Sequence, residues 1–231
     1  MRVLILEHQA DAPACLLDEW ARARGHDVEV VDPARLQAWP QPADADAIVS
    51  LGSEHSALDT QRRWIRDEIE FLAAAHAASV PVLGICFGGQ ALSAALGGNV
   101  SRAPRAEVTW RAIETNDPEL ITAGPWPFWH EDRFDLPPGA RLLAGSETEV
   151  VAFADGASVG LQFHPEADAA VVQGWVDGGR DKLRAYGVDQ AELEREIDQH
   201  GPAARELAFD LFDRIAAMWA DVRMAREPSL G

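Results

Sequence analysis

Only two cysteines occur in the 231 residues, Cys15 and Cys86. That count excludes a disulfide framework and leaves each thiol to be explained singly. Basic residues are scarce as well: 20 Lys and Arg stand against 38 Asp and Glu, a formal net charge of −18. Phosphate backbones and anionic lipid surfaces are bound by clustered cations, so neither nucleic acid nor a membrane is an expected partner. No apolar run approaches the ~20 residues needed to cross a bilayer. The chain starts in a strand-like run at residues 2–6 with no basic segment or cleavage site, so no signal peptide and a cytoplasmic location are expected. Repeats and low-complexity tracts are absent. Compact histidine pairs on a helix and cysteine pairs are also missing, which argues against a zinc site. There is no phosphate-binding loop either. Gly97 and Gly98 follow a helical stretch and precede a strand, the pattern of a helix stop and turn, so neither ATP nor another cofactor is expected.

What is present is an alternation of strand and helix patterns through the first hundred residues. Strands are expected at 3–6, 28–31, 47–50 and 80–85, and helices at 13–24, after Asp59 and at 89–96. In the second helix Trp64, Ile65, Ile69 and Leu72 share one side, the spacing of a face packed on a sheet. Cys15 falls in the first helix and reads as core filler. Beyond Asn99, residues 108–114, 141–144, 150–154 and 158–163 read as shorter, partly antiparallel strands between Pro and Gly turns. The fold expected is α/β, a mostly parallel central sheet with helices on both faces, flavodoxin-like, plus a C-terminal helical extension. After Asp168 the pattern turns helical, with a capping box at Asp189 and Glu192 and a break at Gly201-Pro202. Leu207, Leu211, Ile215, Met218, Trp219 and Val222 then mark one packed face, which reads as cover for the sheet; a docking or dimer surface is the alternative. Residues after Arg226 read as a frayed tail.

The richest segment is residues 82–90, Val-Leu-Gly-Ile-Cys-Phe-Gly-Gly-Gln, where an apolar strand runs into a cysteine flanked two residues either side by glycine. A sharp strand-to-helix turn holds its apex residue in a strained conformation, and Gly84 and Gly88 let the backbones pass closely. Cys86 is therefore expected to be presented rather than buried, with the following helix N-terminus favouring its thiolate. The plainer reading makes Cys86 a small buried hydrophobe. Against it stands a second segment, Ser158 to Glu166, in which a strand ends in His164-Pro165-Glu166. Pro165 halts the strand and leaves His164 at its end, where open α/β sheets place their chemistry. A nucleophile needs a base, and the base needs an orienting group, so Cys86, His164 and Glu166 compose a candidate triad. His164, Glu166 and Asp168 also alternate as metal ligands would, but Pro165 spoils that geometry.

Gly84-Ile-Cys86-Phe-Gly88-Gly-Gln90 and His164-Pro165-Glu166 together resemble the G-x-C-x-G-x-Q and H-P-E motifs of the class I, or triad-type, glutamine amidotransferases. The resemblance spans roughly residues 1–175, leaving 176–231 as the helical extension packed on the same domain. It implies that Cys86 attacks the side-chain amide of glutamine, giving a glutamyl thioester and ammonia, while His164 shuttles protons. It also implies an oxyanion hole built from backbone N–H groups. Here Leu51-Gly52-Ser53 stands where the family usually has Gly-Gly-Pro, so Gly52 and Phe87 are the expected donors. Gln90 is the expected substrate contact one helical turn past the elbow. His130, within Trp126 to Asp132, stands where the family has a histidine lining the glutamine pocket. Trp126, Phe128 and Trp129 read as packing residues, and His55 as a solvated loop histidine.

The family's acceptor-activating domain is missing from these residues, so the resemblance implies glutamine as substrate and, as partner, a separate synthetase subunit. The same triad also suits a stand-alone hydrolase or peptidase acting on γ-glutamyl small molecules. A binding or regulatory module that keeps the fold is the non-enzymatic alternative.

Overall fold

The computed structural model describes residues 1–224, with no side-chain description for 221–224; the expected tail after Arg226 and the side chain of Val222 lie outside the described residues. The strands are β1 (Arg2–Leu6), β2 (Asp27–Val31), β3 (Ala47–Ser50), β4 (Val82–Ile85), β5 (Val100–Arg111), β6 (Trp126–Phe134), β7 (Arg141–Ser146), β8 (Glu149–Asp155) and β9 (Ser158–Leu161). The helices are α1 (Cys15–Ala23), α2 (Arg63–Ala77), α3 (Phe87–Ala95), α4 (Ala169–Gly178), α5 (Arg180–Tyr186) and α6 (Gln190–Met224).

Seven strands form one sheet in the order β2-β1-β3-β4-β9-β8-β7. From β2 to β9 neighbouring strands run parallel, and β8 and β7 complete the sheet antiparallel. Parallel strands covered on both faces must be apolar on both, and β1 shows how the alternation divides them. Val3 and Ile5 join a core with α1, α4 and α6, while Leu4 and Leu6 join one with α2 and α3. The expected α/β sheet with helices on both faces is the architecture found.

Two expectations are corrected. Only residues 108–111 of the strand expected at 108–114 are in a strand, and they end the longer β5, which starts at Val100, lies outside the central sheet and pairs antiparallel with β6 as a separate hairpin. β6 contains the stretch read from sequence as a pocket segment with His130 and packing aromatics, not as a strand. Pro127 and the consecutive charges Glu131-Asp132-Arg133 blunt its strand pattern, and it is stabilised by β5 across a long connection rather than by local propensity. Second, Gly201-Pro202 does not separate two helices: α6 runs through it. Leu193 and Ile197 before the proline and Ala204 and Ala208 after it enter the same core, so tertiary packing outweighs the missing N–H. Gly201 serves close approach, since a Cβ there would lie 2.6 Å from the Ala169 Cβ.

At the start of α6 the Asp189 carboxylate accepts from the N–H groups of Ala191 and Glu192, whereas the Glu192 side chain turns to Arg195. Farther along, Ala208, Leu211, Phe212, Ile215 and Trp219 are buried in the core shared with α1 and the sheet. Trp219 also donates its indole N–H to the Ala157 carbonyl at 3.0 Å, tying α6 to the turn between β8 and β9. Truncating this 2 % exposed side chain removes a large packed volume and strands a carbonyl. Trp219→Ala is expected to cost about 3–5 kcal/mol, read as a lower midpoint in urea unfolding.

Candidate active site

Strand order decides which residues meet. β1, β3, β4 and β9 are consecutive parallel neighbours, and the residues just past their carboxyl ends are His8, Gly52, Cys86 and His164. Ligands of open α/β sheets gather at this edge. The described cleft there has a volume of about 350 Å³ and is lined by Gly52, Cys86, Gln90, His130 and His164 among others.

Cys86 sits between β4 and α3 with φ 52° and ψ −105°. A non-glycine residue with positive φ is strained, and its surroundings must over-determine it. Here the determinant is backbone contact. A Cβ at Gly88 would lie 2.0 Å from the Ser50 carbonyl oxygen, and one at Gly84 would lie 2.3 Å from the Gly88 oxygen. Only glycine permits the β3 end, the elbow and the α3 start to pack this closely. The Gly88 N–H then bonds the Leu51 carbonyl at 3.0 Å, and the Cys86 N–H bonds Leu161 in β9 at 2.8 Å. The expectation of a presented cysteine is corrected in one respect. Cys86 is 5 % exposed, because the β6 backbone closes over it; its sulfur lies 3.8 Å from the Trp129 carbonyl and 3.9 Å from the Gln162 side-chain nitrogen. It nevertheless lines the cleft.

His164 follows β9 and is fixed from two sides. Its backbone N–H bonds Pro127 of β6 at 2.9 Å, and its Nδ1 lies 2.7 Å from Glu166 Oε1. The ring also meets the edge of Trp175, centroids 4.9 Å apart. Its Nε2 closes no hydrogen bond of ordinary geometry, although the Cys86 sulfur is near enough to influence its basicity. Burial opposes charge on the imidazole, yet the Glu166 carboxylate and the Cys86 sulfur outweigh it and hold the pKa well above the usual histidine range. Cys86 and His164 thus line one cleft, with the Glu166 carboxylate buried behind the ring, an arrangement able to move a proton between sulfur, ring and substrate.

The other expected positions gather around the same space. Phe87 is the first residue of α3, so its N–H takes no intrahelical partner. Gly52 packs on His164, where a Cβ would fall 2.8 Å from Cε1. The Gln90 amide donates to the Asp132 carbonyl at 3.0 Å. His130 is held at both ring nitrogens, by the Asp132 carbonyl at 2.9 Å and by Glu107 at 3.0 Å. His55 is not solvated: it is half-buried on the cleft wall with its ring 5.7 Å from Trp64. Trp126 and Phe128 are core residues, as expected, whereas Trp129 also lines the cleft.

Several residues escaped sequence reasoning. One wall consists of Gly174, Trp175, Gly178, Gly179 and Lys182 from α4, α5 and their junction, and Trp175 is anchored by its indole N–H on the Asp11 carbonyl at 2.6 Å. The rim carries Arg102 paired with Glu131 and Asp132, with Ser56 on Asp132 and Tyr186 on Glu131. Burial and the Glu131 carboxylate push the Tyr186 hydroxyl up to about 12. Behind the Gly52 loop, His8 contacts Glu68, a carboxylate in the stripe shared by Ile65 and Leu72. A charge at a core position of an amphipathic helix was the available signal.

A family model described as glutamine amidotransferase class-I matches residues 16–172. The chain belongs to this family. One component of the GMP synthase (glutamine-hydrolyzing) of Sulfurisphaera tokodaii, itself named as a subunit, is 33% identical over 132 residues, covering 53% of this chain and 68% of that protein. GMP synthase (glutamine-hydrolyzing) of Thermosipho africanus is 30% identical over 153 residues, but this chain spans 29% of its length. Among solved structures, a glutamine amidotransferase from Thermotoga maritima superposes with TM-score 0.82 at 25% identity, covering 93% of this chain and 97% of that one. The amidotransferase match ends before Trp175 and Lys182, so the α4–α5 wall of the cleft lies beyond it.

The raised pKa of His164 carries a linkage consequence. Stability from its pairing with Glu166 is fully present below the unfolded-state pKa and is lost as pH rises through the folded value. Thermal unfolding followed from pH 6 to pH 10 should therefore show a steeper alkaline fall in Tm for the unsubstituted protein than for Glu166→Gln. Parallel profiles would contradict the pairing.

Proposed function

We propose that this amidotransferase domain hydrolyses the side-chain amide of glutamine and supplies the ammonia to a separate synthetase subunit. The observation that supports it is the meeting of Cys86, His164 and Glu166 at the ends of adjacent strands β4 and β9. The Cys86 thiol gives its proton to His164 Nε2, and the sulfur attacks the amide carbon. The resulting oxyanion is received by backbone N–H groups at Gly52 and Phe87. Collapse breaks the C–N bond, His164 protonates the leaving nitrogen, and ammonia departs from a glutamyl thioester. Water then gives a proton to His164 and attacks the thioester carbon; expulsion of the sulfur, which regains the proton, releases glutamate. Glu166 keeps the ring oriented and compensates its charge at each transfer. Gln90 and His130, on the cleft wall, are the proposed substrate contacts. No metal or cofactor enters this scheme. That the S. tokodaii relative is named as one component of a GMP synthase supports a partner that accepts ammonia.

A second reading is a γ-glutamyl hydrolase using the same triad. It is favoured by the Leu51-Gly52-Ser53 loop and by the Trp175 and Lys182 wall, which offer contacts to a leaving group larger than ammonia.

Purified protein incubated with glutamine and with γ-glutamyl dipeptides separates the readings by the released product, ammonia or amino acid. Cys86→Ser is expected to lower the rate at least about a thousandfold. Turnover that survives this substitution, or none on either substrate class, would count against the proposed chemistry.

A further inference from the structure

Behind the loop carrying Gly52 lies a buried polar chain with no role in the proton transfers above. His8 Nδ1 is 3.0 Å from the Gly52 carbonyl oxygen, and its Nε2 is 3.0 and 3.2 Å from the two Glu68 oxygens. Glu68 also accepts from the Ser50 hydroxyl at 2.6 Å. The His8 and Glu68 side chains are 1 % and 0 % exposed. Both His8 nitrogens face acceptors, so both bonds close only when the ring carries two protons. Burial opposes that charge, but Glu68 and the Gly52 carbonyl outweigh it and raise the His8 pKa above the usual value. Replacing such a group with hydrocarbon of similar shape is often tolerated by the fold, so stability alone does not explain the pair.

Its position does. Gly52 is free to rotate both flanking peptide planes. The Leu51 carbonyl is held by the Gly88 N–H, at the start of α3, and the Gly52 carbonyl is held by His8. A planar peptide whose oxygen is fixed has its N–H direction fixed too: the Leu51 oxygen sets the Gly52 N–H, and the Gly52 oxygen, held by His8, sets the next plane, so neither plane beside Gly52 is left free to turn. The His8 ring also meets Phe87 edge-on with centroids 4.8 Å apart and Trp64 at 5.4 Å. It therefore touches both elements expected to supply oxyanion donors.

We propose that His8, held by Glu68, is a positioning residue that pins the Gly52–Ser53 peptide, so that Gly52 cannot rotate and the backbone donor of its loop stays preset for the oxyanion. This inference rests on the amidotransferase chemistry proposed above. His8 itself contacts no reacting atom; it acts through the peptide that it holds.

The test compares His8→Leu and His8→Asn with the unsubstituted protein, each against two probes of Cys86. The chloroketone analogue of glutamine is attacked at a carbonyl and passes through an oxyanion before chloride is expelled. Methyl methanethiosulfonate is attacked at sulfur and forms none. His8→Leu should react with the chloroketone about a hundredfold more slowly, react with the thiosulfonate at an unchanged rate, and show a lowered kcat on glutamine with KM little altered. His8→Asn, whose amide can donate to the Gly52 carbonyl, should recover most of the loss. Equal loss with both probes, or a chloroketone rate unaffected by His8→Leu, would overturn the assignment. If His8→Leu does not fold, Glu68→Gln is judged by the same ratio of rates, and an unchanged ratio overturns it. Unsubstituted protein that takes up the thiosulfonate but neither turns over glutamine nor reacts with the chloroketone would sink the glutaminase reading first, and this inference with it.

Discussion

The left-handed backbone at Cys86 exists because three stretches of main chain approach one another closer than any side chain would allow. Gly88 lies against Ser50, and Gly84 against Gly88. The Gly88 N–H on Leu51 and the Cys86 N–H on Leu161 then tie the elbow to β3 on one side and to β9 on the other. These contacts hold a strained residue in place, and the surrounding core of the sheet supplies the stability that offsets the strain. They also determine what the sulfur faces, since β9 leads within three residues to His164.

The carboxyl edge of the sheet can be read as a row. His8, Gly52, Cys86 and His164 follow β1, β3, β4 and β9; His8 bonds Gly52, Gly52 packs on His164, and His164 lies beside the Cys86 sulfur. The β5–β6 hairpin closes the top, bonding His164 through Pro127 and facing the sulfur with Trp129. Helices α4 and α5 close the remaining side with Trp175 and Lys182. The parts inside the amidotransferase match carry the proposed bond-breaking, whereas the α4–α5 wall outside it is the natural place for substrate preference to diverge within one family.

Much of this was legible from local pattern. The alternation of strands and helices, the glycines at 84 and 88, and the His-Pro-Glu ending each reflect sterics within a few residues, which sequence displays directly. The long connections were not legible. β6 is a strand only because β5 pairs with it, and α6 survives Pro202 only because its two halves share a core. His55 looked solvated until the loop folded against Trp64, and Cys86 looked exposed until β6 covered it.

By itself the sequence determined an α/β chain with a cysteine elbow, a histidine at a strand end and a carboxylate two residues on, because those features depend on backbone torsion and on the period of apolar residues. Tertiary structure alone decided that β4 and β9 are neighbours, that a hairpin roofs the thiol, and that His8 reaches a glutamate sixty residues away. Such contacts arise from strand order and packing between distant segments, and no local spacing encodes them.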